Sequence, residues 1–165
     1  MEWKEIALED GTWITQKMRE DDRRGCEYSF CNNFIWRNVY KVLVTELCGC
    51  CIIKLDAGGE ECFAFPIGGG DKRRAIELLI EEADGKKLCL DSLLTQDKEL
   101  LEKWFPGQFS VSEERDGFDY LYTVEKLTSL AGKKLHGKRN HIARFKESND
   151  WRYEPMTSEN KTECL

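Results

Sequence analysis

The chain has 165 residues, of which 41% are hydrophobic and 34% charged, with a formal net charge of -6. That length suits one ordinary domain whose core folds without staples, and the balance excludes a disordered or fibrous chain. No stretch approaches the roughly 18 apolar residues of a membrane span, and the polar opening "MEWKEIALEDG" is not a secretory leader. A cytoplasmic protein is therefore expected.

In chain order, "WKEIA" reads as a short extended run, followed by a helix opening near Asp10 with Trp13, Ile14 and Met18 on one face. "SFCNNFIWRN" reads as a second helix, aromatic-rich and buried. Strands are expected in "YKVLVTE", "CCIIKL" and "CFAFPI", turning at Cys48-Gly49 and at Ala57-Gly58-Gly59. Asp71 caps the clearest helix, which places Ile76, Leu79, Ile80 and Ala83 on one face and stops at Gly85. The strand "KKLCLDS" follows, then a helix from about Gln96 to Trp104 that Pro106-Gly107 ends. "FSVSEER" and "FDYLYTV" flank Asp116-Gly117, a hairpin signal. A short helix "EKLTSLA", a basic stretch and a strand-like "WRYEPM" complete the chain.

This order predicts an α/β fold of the α+β type: a mixed, mostly antiparallel central sheet flanked by helices, with an appended basic C-terminal helix. The succession of elements resembles the GNAT acyltransferase superfamily. On that reading residues 1–155 form a single GNAT-like domain that includes the basic segment 132–146. Residues 156–165 would begin a linker or helix leading to a second domain.

Eight cysteines raise the question of disulfides or metal. Cys26, Cys31, Cys62, Cys89 and Cys164 are scattered singly, without the repeated C-x2-C pairs of a zinc site. Cys62 and Cys89 sit in apolar strand-like settings, where a reduced thiol behaves as a small hydrophobe. Buried reduced thiols and no metal site are expected.

Two stretches point to an anionic ligand. In "FPIGGGDKRRAIELL" a strand runs through Gly68, Gly69 and Gly70 into a helix start, where backbone N–H groups and the helix dipole favour phosphate. Lys72, with Arg73 and Arg74, adds positive charge in a turn where the dipole prefers acids. The plain alternative is a flexible glycine-rich turn. The second stretch, "GKKLHGKRNHIARFK", carries six Lys or Arg, both histidines and no acid, and leaves -12 on the rest of the chain. Ile142 and Phe145 can anchor it as a helix, and arginine forks suit phosphate. A solvated helix whose long side chains cover apolar surface is the alternative here.

The residues Asp119, Tyr120 and Tyr122, then Leu130, Gly132, Lys133 and Lys134, then His136, Lys138, Arg139, Asn140, Ile142 and Phe145 carry a more specific signal. They follow D-Y-hydrophobic-Y, L-x-G-(K/R)-K and H-x-K-R-N-x-(I/V)-x-x-F, and the segment resembles the phosphatidylglycerol lysyltransferase C-terminal-domain family. "CEYSFCNNFIWR" and "FPIGGGD" also look like segments of that family, in which GNAT-type domains occur in tandem. The resemblance implies the N-terminal half of a protein of about 300 residues whose second domain lies outside this chain. It further implies aminoacyl transfer from a charged tRNA, with Lys133, Lys134, His136, Lys138, Arg139, Asn140 and Arg144 on tRNA or another anion. Asp119, Tyr120 and Tyr122 would line a pocket. Acetyl-coenzyme A on the glycine loop is the rival donor, and a non-catalytic scaffold half is the rival role. An anionic lipid surface would attract the same charges, giving peripheral membrane association.

Catalytic residues stay unassigned. There is no nucleophile motif or Ser-His-Asp spacing, and His136 could serve as base, phosphate ligand or helix-end partner. Pro66 cannot donate the backbone N–H that the fourth strand of a GNAT domain offers an oxyanion. DNA binding is not expected, because no groove-reading module is present.

Overall fold

The computed structural model describes residues 1–164. Its contacts divide the chain into two compact units, Met1–Asp116 and Gly117–Leu165. The division falls inside the 1–155 span that the sequence reading treats as one domain.

The first unit is built on a five-stranded sheet of order β1-β2-β3-β4-β5, comprising Lys4–Glu5, Leu43–Leu47, Cys50–Ala57, Glu60–Ala64 and Cys89–Asp91. The first three pairings are antiparallel and only β4–β5 is parallel. The parallel pair needs a crossover, and the helix α3 (Lys72–Ala83) supplies it. α1 (Gly11–Asp21) and α2 (Phe30–Ile35) lie between β1 and β2 in sequence, and α4 (Thr95–Trp104) follows β5.

β3 is the central strand, and its "CCII" run is buried on both faces, which explains an unbroken apolar stretch in place of alternation. Cys51 and Ile53 pack with Ile14, Met18, Val44 and Ile67 on the α1 face. Cys50 and Ile52 pack with Phe63, Ala75 and Leu79 on the α3 face. A third cluster joins Phe65 and Ile76 to Leu101 and Phe105 of α4 and the loop after it. Burial of this kind contributes on the order of 25 cal/mol per Å² of apolar surface.

Four expectations change. The aromatic-rich segment of α2 is only partly buried: Phe30 packs half-buried against the core, Ile35 and Trp36 are exposed, and the buried residue is Asn33, whose Nδ2 donates to the carbonyls of Glu27 and Ser29 at 2.7 and 2.9 Å. The hairpin around Asp116-Gly117 is not formed, since residues 115–117 make a 3-10 turn and neither flank joins a ladder. A turn signal fixes a hairpin only when both flanks offer an apolar face, and "SEER" offers none. "WRYEPM" likewise pairs with no described strand. Finally, Cys62 and Cys89 are joined as a disulfide, because the parallel register sets them opposite each other with Cα atoms 4.6 Å apart.

The second unit contains α5 (Val124–Ser129), a 3-10 turn over Lys133–Leu135 and α6 (His136–Ser148). Thr123 caps α5 by accepting from the Lys126 N–H at 3.3 Å. α5 stops where Leu130 adopts the left-handed conformation, and Gly132 follows with φ 91°. None of the described residues 117–163 is buried.

Candidate functional site

The glycine loop and the basic helix belong to different units. Each has its own geometry.

In the loop, Gly70 approaches other backbone very closely. A Cβ there would lie 2.3 Å from the Cys48 carbonyl oxygen and 2.5 Å from the Gly49 carbonyl carbon, so only glycine fits. Gly68 has φ 113°, a region open to glycine. The loop amides already hold anions of the same chain: Gly69 N–H donates to Glu20 Oε2 at 3.2 Å and Gly68 N–H to Asp21 Oδ2 at 3.4 Å. Lys72 pairs with Asp21. Arg73 meets Glu77, and Arg74 reaches Glu77 and Glu81, each at 3.1 Å. Asp71 caps α3 by accepting from Arg74 N–H at 3.0 Å. The bases in the first turn of α3, which run against the dipole, are thus matched by carboxylates of this chain.

Behind the loop lies a polar cluster that sequence reasoning missed. Arg23 makes two parallel bonds to Asp97, with Nη1 donating to Oδ2 at 2.6 Å, and the two side chains are 1% and 0% exposed. The same guanidinium donates to Asp21 Oδ2 at 2.7 Å and to the Tyr28 hydroxyl at 3.1 Å, and its carbon sits 4.9 Å from the Phe65 ring centroid. Tyr28 donates onward to the Ser92 carbonyl at 2.7 Å, and burial pushes its phenol up. Asp97 also accepts the Leu94 N–H at 2.9 Å at the start of α4. Burial opposes the Arg23 charge, but its bonds to Asp97, together with the fields of Tyr28 and Asp97 and the bond to Asp21, outweigh it and raise the guanidinium pKa. Asp21 shows the same contest: burial raises its pKa, the bonds from Lys72 and Arg23 lower it, and the net is below 3.8. The acid-base run "EDDRRG" was the available signal, but partners 74 residues apart leave no local pattern.

A cavity of about 490 Å³ opens on the α3 face, with Trp3, Phe63 and Leu79 beneath and Lys54, Glu82 and Lys86 around it. It contains none of the residues that the sequence singled out as candidate site residues. Glu60, Cys62 and Cys89 bring metal-ligating atoms within 4.8 Å of one another, but both sulfurs are committed to the disulfide.

In the second unit the H-x-K-R-N motif is a local construction on α6. Asn140 Nδ2 lies 3.2 Å from His136 Nε2, one helical turn away. Arg139 Nη2 lies 3.5 Å from the other ring nitrogen, Nδ1, so donor groups face both nitrogens of the imidazole. Arg139 turns back, donating to the Gly132 carbonyl at 3.0 Å and also to the Leu130 carbonyl, which fixes the α5–α6 connection. Lys138 lies over the Tyr122 ring at 5.3 Å, and Lys146 over Trp151 at 5.4 Å. Lys133, Lys134 and Arg144 extend from exposed positions. Among the described residues, no base of segment 132–146 pairs with a carboxylate. Tyr122 meets Lys138, whereas Asp119 and Tyr120 stand apart on the surface, Tyr120 at 87% exposure.

The first unit is a mixed sheet domain, and similarity to known proteins supports a related acyltransferase-like domain. More narrowly, the chain belongs to the phosphatidylglycerol lysyltransferase, C-terminal family, whose model matches residues 19–165. It is also similar to a conserved protein of unknown function from Bacteroides thetaiotaomicron VPI-5482, known from a crystal structure, at 34% identity and TM-score 0.83. That match covers 98% of this chain and 56% of the other, so the chain spans little more than half the length of its structural relative. No curated protein matches. No helix is long and apolar enough to cross a membrane among the described residues.

Proposed function

We propose that the chain is the GNAT-like portion of an aminoacyl-tRNA-dependent transferase, with α6 and the turn before it engaging the phosphates of the tRNA. The observation that carries this reading is the contrast in how cations are matched. In the first unit the bases around the glycine loop and the buried cluster have carboxylate partners, while those of segment 132–146 have none among the described residues. Lys133, Lys134 and Arg144 are the outward contacts, Lys138 is held over Tyr122, and Arg139 with His136 and Asn140 shapes the segment. Family membership supports the acyltransferase-like class. The transfer itself would proceed by positioning and electrostatic stabilisation of the ester carbonyl as it is attacked.

The test is equilibrium binding of aminoacyl-tRNA, uncharged tRNA and acetyl-coenzyme A to the full natural chain. The expected result is preference for charged tRNA, with affinity lost when Lys133, Lys134 and Arg144 become Ala. Tight acetyl-coenzyme A binding without tRNA affinity would overturn it.

One observation favours a scaffold role for the first unit. Glu20 and Asp21 occupy the amides of Gly69 and Gly68, where a coenzyme phosphate would sit. Pro66 also lacks an N–H at the end of the β4 segment. This unit would then support chemistry housed elsewhere in a longer protein. Calorimetry with acetyl-coenzyme A tests this, the expectation being no heat of binding to this chain. A saturable one-to-one isotherm would contradict the scaffold role.

A further inference from the structure

Among the described residues, one group of metal-ligating side chains comes together: a Glu60 carboxylate oxygen, Cys62 Sγ and Cys89 Sγ lie within 4.8 Å of one another. The backbone builds this group. Glu60 and Cys62 are two apart on β4, so strand alternation turns both side chains to one face. The parallel register then sets Cys89 of β5 beside Cys62, with Cα atoms 4.6 Å apart. Cys62 is 3% exposed, Cys89 is partly exposed and Glu60 stands in solvent, so the group has a sheltered base and an open side. Lys87 engages one Glu60 oxygen, Oε1, at 2.6 Å, but that pair is exposed at both ends and yields readily to a stronger cation.

The disulfide is one of two states open to this pair. The same chain carries free thiols, of which Cys26 and Cys31 are exposed, and thiols exchange with any disulfide they can reach. The partly exposed Cys89 gives that access. Reduction by a dithiol breaks the Cys62–Cys89 S–S bond, places two electrons and two protons on the sulfurs, and leaves the reductant as its own disulfide. The β4–β5 ladder still holds the two thiols side by side, next to a carboxylate. Two thiolates with one carboxylate suit Zn²⁺, which accepts sulfur and oxygen ligands at about 2.0–2.3 Å. Mg²⁺ and Ca²⁺ take oxygen donors instead.

We propose that Glu60, Cys62 and Cys89 form a Zn²⁺ site in the reduced protein, and that the disulfide is the oxidised, metal-free form of the same site. Binding sends the two thiol protons to solvent and leaves a fourth position for water or an incoming ligand atom. In the reverse direction, a disulfide oxidant takes two electrons from the bound thiolates and becomes two thiolates itself, the Cys62–Cys89 bond forms, and the ion leaves. The site belongs to the first unit, and neither its metal nor its test involves tRNA.

The experiment titrates Co²⁺, a spectroscopic substitute for Zn²⁺, into the full natural chain in its oxidised form and again after reduction by a dithiol that is then removed. The expected result is a thiolate-to-cobalt charge-transfer band that saturates at one ion per reduced chain, is abolished by Zn²⁺ but not by Mg²⁺, and is absent from the oxidised chain. Cys62→Ser and Cys89→Ser should each remove the band, and Glu60→Gln should weaken affinity at least about tenfold. A reduced chain without the band would overturn the proposal. So would a band that survives in Cys62→Ser, the sign of metal on other cysteines, or an unchanged affinity in Glu60→Gln. The unaltered protein provides a check that no folding defect can blur: Zn²⁺ should slow alkylation of Cys89 in the reduced chain at least about tenfold, because a metal-bound thiolate is no longer a free nucleophile, and should leave exposed Cys31 unaffected. Equal labelling of Cys89 with and without Zn²⁺, or a Cys62–Cys89 bond that resists the dithiol, would likewise overturn the site.

Discussion

Gly70 shows how backbone packing alone can require a glycine. Three glycines before a helix suggest a phosphate cradle, but one of the three is required by backbone packing against Cys48 and Gly49. Gly70→Ala forces that backbone apart and is expected to cost about 2–3 kcal/mol of stability. Gly69→Ala meets only Glu20 Oε2 at 3.7 Å and should stay within about 0.5 kcal/mol of the parent. Urea denaturation of the two variants checks the pair, and equal losses would contradict the packing account. The thiols give a second residue-scale expectation. Burial pushes Cys51 up to about 12 and also raises Cys50, so both stay protonated and shielded at neutral pH. Exposed Cys31 should react with a thiol reagent in the folded protein, whereas Cys50 and Cys51 should react only after denaturation. Rapid native labelling of Cys50 or Cys51, located by mass spectrometry, would contradict this.

At the scale of elements, periodic segments were legible and long-range pairings were not. The strands from Leu43 to Ala64 and the helices that open at Asp10 and Asp71 carry their signals within a few residues, and the structure follows them. The Cys62–Cys89 disulfide depends on a parallel register that no local pattern encodes. The Arg23–Asp97 pair, which ties the chain after α1 to the start of α4, depends on a separation of 74 residues. Asp97→Ala strips a buried guanidinium of the carboxylate that takes two of its bonds and is expected to cost about 3–5 kcal/mol. Glu99→Ala, on the exposed face of the same helix, should change stability by less than about 0.5 kcal/mol. The acid side of the stability curve belongs to Asp21 of this cluster and to Asp10, which pairs with Lys4 and Trp13. Asp21 and Asp10 both titrate below 3.8 in the folded chain: burial raises each, and hydrogen bonds from Lys72 and Arg23, or from Lys4 and Trp13, more than offset it. Their contribution is therefore complete above the unfolded value and disappears as pH falls through the lower folded value. Urea midpoints should be flat from about pH 6 to 8 and fall below about pH 4. A midpoint that rises on acidification would contradict the sign.

The whole molecule reads as two kinds of surface chemistry in one chain. The first unit neutralises the charges around its glycine loop and core, and the second leaves a basic helix and an apolar face open. The family motifs were legible because they are contiguous, but their division of labour was not: Arg139 seemed an outward cation and instead closes the α5–α6 loop. The boundary at Asp116 was hidden for a related reason, since the Asp-Gly turn suggested a hairpin where the chain passes from one unit to the next. The central claim is that Lys133, Lys134 and Arg144 contact tRNA phosphates, and the salt dependence of tRNA binding by the full natural chain tests it most directly. The account predicts that log affinity falls linearly with log salt, and that replacing those three residues by Ala makes the slope shallower by about 2–3. An unchanged slope in the triple variant would contradict it.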